Sequence, residues 1–160
     1  MFSPFLSEQV RLAEAGPAWH GAALAENLDG IDAAQAASRP VPEAHSIWEI
    51  VLHLTGWTRE VARRLQGGRP GQPVEGDWPA VGRVSEEAWG RTRAALSEAH
   101  SGLADAVGRF PESRWTEQVG GERDAPLGTG VSYAAMVAGL AQHAAYHGGQ
   151  IGLLRKALRL

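Results

Sequence analysis

The chain has no cysteine among its 160 residues, which excludes disulfides, thiolate metal ligands and a cysteine nucleophile together. Any metal must be held by His, Asp or Glu, and any thiol chemistry must borrow its thiol. Lysine is nearly absent: Lys156 stands alone, and the other bases are arginines scattered from Arg11 to Arg159. With 15 bases against 18 acids the net charge is -3. A nucleic-acid partner is not expected, because nothing forms the basic stripe that displaces counterions. No apolar run approaches the ~20 residues of a membrane span. The opening MFSPFLSEQVRLAEAG carries acids and lacks the basic and apolar regions of a secretory signal. These absences predict a cytoplasmic protein without a membrane partner.

What is present reads as one globular domain over 1–160, since 44% hydrophobic and 21% charged residues lie near globular averages. Three segments carry a helical period. The first spans about Ser46 to Leu65, with Ile47, Ile50, Leu54, Trp57 and Val61 on one stripe and Gly67 and Gly68 as a stop. The second opens at the natural cap Ser85, carries Trp89, Thr92, Leu96, Leu103, Val107 and Phe110, and ends at Pro111. The third runs from Ser132 to about Leu160 and gathers Arg155, Lys156 and Arg159 at its end. A fourth helical region, Phe5 to Asp29, is interrupted by Gly16 and Pro17, which predicts a kink or two consecutive helices. Four helical regions without strand alternation predict an all-α four-helix bundle. The long Gly- and Pro-rich link between Leu65 and Ser85 implies a crossover connection.

The last helix places chemistry in its own core seam. At alternating four and three spacing the seam reads Met136, Leu140, His143, His147, Gln150, Leu154, Ala157, with two imidazoles and an amide in an apolar stripe. Burying such groups without partners costs roughly 1–3 kcal/mol each. His143 and His147, one turn apart, sit on one face about 6 Å apart along the axis. They can converge on one ion, and His53, between Ile50 and Trp57 on the inward side of the first strong helix, supplies a third ligand. Three neutral imidazoles suit zinc or nickel, with iron or manganese as alternatives. Residue 144 is alanine where HExxH proteases carry their base, which excludes that mechanism.

The segments HSIWEIVLHLTGW, from His45 to Trp57, and AQHAAYHGGQIGLLRKAL, from Ala141 to Leu158, resemble the two signature stretches of the DinB-like (DinB/YfiT) family, and GPAWHG from Gly16 resembles the start of one subgroup. The resemblance implies an up-down-down-up bundle, frequently a homodimer, with a divalent metal on His53, His143 and His147. It also implies one of several activities: thiol-dependent S-transfer with bacillithiol or mycothiol, maleylpyruvate isomerisation, or metal-dependent hydrolysis.

Around the three histidines, Gln150, Glu49, Glu60, His20 and Trp57 are candidate outer partners or pocket residues. The Gly-rich loop Pro111 to Val131 is the candidate for shaping the pocket. The leading expectation is a metal-dependent transferase for a low-molecular-weight thiol, acting on a small-molecule electrophile. Hydrolysis by water activated at the same site is the enzymatic alternative, and a non-catalytic bundle fastened by metal is the third. Metal affinity is expected to weaken as pH falls toward ~6.5, the ordinary imidazole value.

Overall fold

The computed structural model describes residues 1–160 and is entirely helical apart from turns and two isolated bridges. Its elements are α1 (Phe2–Glu14), α2 (Leu24–Leu28), α3 (Ala33–Ala37), α4 (Ile47–Leu65), α5 (Glu86–Arg109) and α6 (Tyr133–Ala157), with one 3-10 turn at Glu112–Arg114. The four long helices start where the chain offers a partner for free N–H groups. Ser46 caps α4 and shares a reciprocal capping box with Glu49, Ser85 caps α5 through the Ala88 amide, and Ser132 caps α6 through the Ala135 amide.

Helix α1 has no side-chain cap of its own. Instead Glu112, just beyond α5, accepts from the Phe2 amide and from the Ser3 hydroxyl at 2.9 Å. A carboxylate from the far end of the chain thus caps α1, and for that reason the helix begins ahead of the expected Phe5. Pro4 is tolerated in this first turn, where no intrahelical N–H is needed. The chain breaks at Gly16, as expected, and resumes only as the short α2. Helix α3, capped by Asp32 and Gln35, was not foreseen, because five residues are too few to show a period.

Two buried clusters fix the direction of every long helix. One joins Trp48, Ile50 and Leu54 of α4 with Trp89 and Leu96 of α5 and with Ala144, Ile151 and Leu154 of α6. The other joins Val61 and Leu65 with Leu103 and Val107, with Met136 and Leu140, and with Leu6 and Val10 of α1. The first halves of α4 and α5 therefore meet, so these helices run parallel, while α1 and α6 run the opposite way. This is the up-down-down-up order, and residues 66–85 form the crossover. No helix is long and apolar enough to cross a membrane.

Trp89 has no exposed surface and donates its indole N–H to the Ile31 carbonyl at 2.8 Å, tying the α2–α3 segment to α5. Trp89→Phe leaves that carbonyl unpaired and should cost roughly 1–3 kcal/mol in chemical denaturation. An unchanged midpoint would show that water replaces the indole.

Candidate metal centre

Helix α6 buries more than the expected seam. Met136, Leu140, His147 and Leu154 are buried, as are Val137, Ala144 and Ile151 beside them, while His143 and Gln150 are only half-buried and Ala157 is exposed. The second row packs toward the bundle centre. The histidine row is left facing α4, at the groove between the two clusters.

There His53 Nε2 stands 3.0 Å from His143 Nε2, and His147 Nε2 stands 2.9 Å from the same atom. The three ring nitrogens lie within 4.8 Å of one another and can hold a metal ion. The outer ring nitrogens of two of them are engaged. His53 Nδ1 donates to the Asp77 carbonyl at 2.7 Å, and the Asp77 carboxylate lies 3.2 Å from the same nitrogen. His147 Nδ1 donates to Gln150 Oε1 at 2.6 Å, and the Gln150 amide donates onward to the Tyr146 hydroxyl. With both Nδ1 atoms protonated, the Nε2 atoms of His53 and His147 present lone pairs toward His143. If His143 Nε2 carries a proton, it can donate well to only one of them and leaves the other lone pair unmatched; if it does not, three lone pairs face one another across 2.9 and 3.0 Å. A cation resolves that clash, and the donor set fits one.

Burial lowers the pKa of all three imidazoles. For His143 burial comes first and the charges of His147 and His53 add to it, bringing the group down to about 4. For His53 the Asp77 carbonyl and carboxylate oppose burial without cancelling it, and for His147 the bond to Gln150 does the same. The imidazoles are therefore neutral, as ligands must be.

Residues 18–151 match the DinB superfamily profile. The chain belongs to the DinB superfamily. No curated protein and no solved structure matches it significantly. Family membership accounts for the all-helical bundle, and the spacing of His53, His143 and His147 agrees with the ligand set that the sequence resemblance implies.

The crossover contributes residues that sequence reasoning missed. Asp77 holds His53 by its backbone and holds Trp57 by its carboxylate, which accepts the indole N–H at 2.7 Å. Trp78 lies flat between two imidazoles, 3.9 Å from the His53 ring and 3.5 Å from the His45 ring, nearly parallel to both. The only signal was a lone Asp-Trp pair in a connection of glycine and proline.

Other candidates take different places. Trp57 lines the pocket described below. Glu49 closes the α4 cap and pairs with Arg39, so it serves the helix end and not the imidazoles. Glu60 points away into a buried ion pair with Arg64. His20 is exposed on the turn before α2 and joins none of the imidazole contacts.

A pocket of about 470 Å³ opens beside the centre in the α4–α6 groove. His53 and His143 reach its wall, whereas the buried His147 does not line it. Trp57, Val61, Met136 and Leu140 make its apolar sides, and the loop before α6 roofs it with Pro126 and Leu127, as expected of that loop. Gly130, at φ 72, lets this loop fold back on itself: a Cβ there would stand 2.5 Å from the Arg123 Cα.

The Gln150 contact gives a direct test. Gln150→Leu leaves His147 free to rotate or change tautomer, and metal affinity should fall about 10–100-fold in competition with a chelating dye. An unaltered affinity would mean that packing alone orients His147.

Proposed function

We propose that this protein is a divalent-metal-dependent transferase that adds a low-molecular-weight thiol to an electrophilic small molecule. The observation that carries the reading is the pairing of three convergent imidazole lone pairs with an apolar pocket, in a chain with no thiol of its own. A divalent ion held there would lower the pKa of a bound thiol, so that thiolate forms at neutral pH. His53, His143 and His147 hold the site, Asp77 and Gln150 fix the rings, and the apolar walls exclude water from the nucleophile. Three neutral imidazole donors suit a divalent transition metal, zinc or nickel first and iron or manganese next.

The test is consumption of electrophiles by metal-loaded protein with glutathione, bacillithiol or mycothiol. Thiol-dependent turnover lost in His147→Ala is the expected result. Turnover of esters or amides without thiol would instead favour hydrolysis, for which Asp77 is the one carboxylate on the pocket wall. Absence of both would favour a bundle that uses metal only as a fastener. A homodimer and a cytoplasmic location remain part of this proposal, to be checked by light scattering and by fractionation.

A further inference from the structure

The pocket is long and its two ends differ in charge. It follows α4 from His53 through Trp57 and Val61 to Arg64, about three turns or roughly 16 Å. At the imidazole end stands the only carboxylate of the wall, Asp77. At the other end stand Arg64, from α4, and Arg123, from the roof loop.

Arg123 has no acidic partner, and Arg64 shares its one, Glu60, with Arg63, leaving one uncompensated positive charge in that group. Arg64 is 2% exposed, so its charge acts through apolar surroundings and not through water. Three of its N–H groups are bound to oxygen, at Glu60 Oε1, the Leu127 carbonyl and the Gly71 carbonyl, and Nη1 also reaches Met136 Sδ at 3.9 Å, which leaves one of five, on Nη2, without a partner. Arg123 bonds only backbone carbonyls, those of Asp124 and Thr129, through one Nη1. The rest of its fork is free, and the nearby Asp124 carboxylate is engaged by the Leu127 amide.

We infer that the pocket takes an elongated ligand with an apolar body and one carboxylate, seated with the carboxylate between Arg123 and Arg64 and its other end at the imidazoles. A planar carboxylate matches the guanidinium fork, and the apolar stretch between the ends sets the body's length. The inference deepens the transfer reading by naming the substrate class, an electrophile whose reactive carbon lies at the end opposite a carboxylate.

The test uses binding, not turnover. Hexanoate, octanoate and decanoate are titrated calorimetrically into metal-loaded protein beside octanol and octylamine. Octanoate should bind about tenfold or more tighter than octanol, the effect of one charge-assisted hydrogen bond, and octylamine should bind weakest. Arg123→Gln should remove the preference for octanoate while leaving octanol unchanged, and Arg123→Lys should keep most of it. Equal binding of octanoate and octanol, octanoate binding untouched in Arg123→Gln, or no binding of any of these probes would overturn the inference. Octanoate carries no thiol or electrophile, so this outcome is separate from that of the transfer assay. Thiol turnover on neutral electrophiles alone would overturn the carboxylate and spare the transfer.

Discussion

Replacing His143 with alanine is expected to remove the metal altogether. His143 is the pivot of the cluster: its Nε2 lies within 3.0 Å of both other Nε2 atoms, so its loss leaves two imidazoles with nothing between them. Elemental analysis of untagged wild-type protein should find near one transition metal per chain, and His143→Ala none. The same variant separates ligation from folding. Metal present at about 1,000 times its Kd adds about 4 kcal/mol to the folded state. For a chain of this size that raises Tm by roughly 8–16 °C. His143→Ala should lose the rise while melting near the wild-type apoprotein, because the half-buried ring contributes little packing. Metal retained in the variant, or a Tm rise that persists, would show that the ion sits elsewhere.

The same geometry moves the expected pH dependence. An isolated imidazole competes for its proton near ~6.5, which is where the sequence alone places the loss of metal. In the fold all three values are lowered by burial, that of His143 to about 4. A lowered value means that protons reach the lone pairs only at lower pH. Metal should therefore stay bound through pH 6 and leave as pH falls toward that lower value. Dialysis against a pH series with metal analysis checks this, and release already at pH 6.5 would contradict the burial argument.

Much of this site was legible from residue order because it obeys local rules. His143 and His147 are neighbours on one helix whatever the rest of the chain does, and Gln150 is one turn further along the same face. His53 required only that the apolar period of α4 be read correctly. Asp77, Trp78, Arg64 and Arg123 were not legible, because their roles depend on where the crossover and the roof loop come to rest. Those segments carry no period, and their course is decided by non-local contacts. Glu49 and Glu60 misled for a related reason. Helical spacing puts both near His53 on paper, yet a cap and a buried arginine claim them first.

Glu60→Ala is expected to be among the most destabilising single changes in the protein. Glu60 and Arg64 are 3% and 2% exposed, and removing the acid leaves a buried guanidinium without its counter-charge. Breaking one partner of such a pair costs about 3–5 kcal/mol, or a Tm loss of roughly 6–20 °C here. Replacing both with methionine should cost less than the sum of the single changes, because no charge is then stranded. The double variant should still fall short of wild type, since Arg64 also holds the crossover at Gly71 and the roof loop at Leu127. A pH signature accompanies this. Burial alone would raise the Glu60 value, but hydrogen bonds from Arg63, Arg64 and the Gly71 amide outweigh it and hold the carboxyl below its ordinary range. The stabilisation is therefore full above the unfolded value of ~4.3 and fades as pH drops through the lower folded value. Acid melting should flatten in Glu60→Gln, which cannot titrate. Loosening the crossover also frees Asp77 from His53, so Glu60→Ala should weaken metal binding from two turns away along α4, whereas an intact affinity would show that the centre orders the crossover and not the reverse.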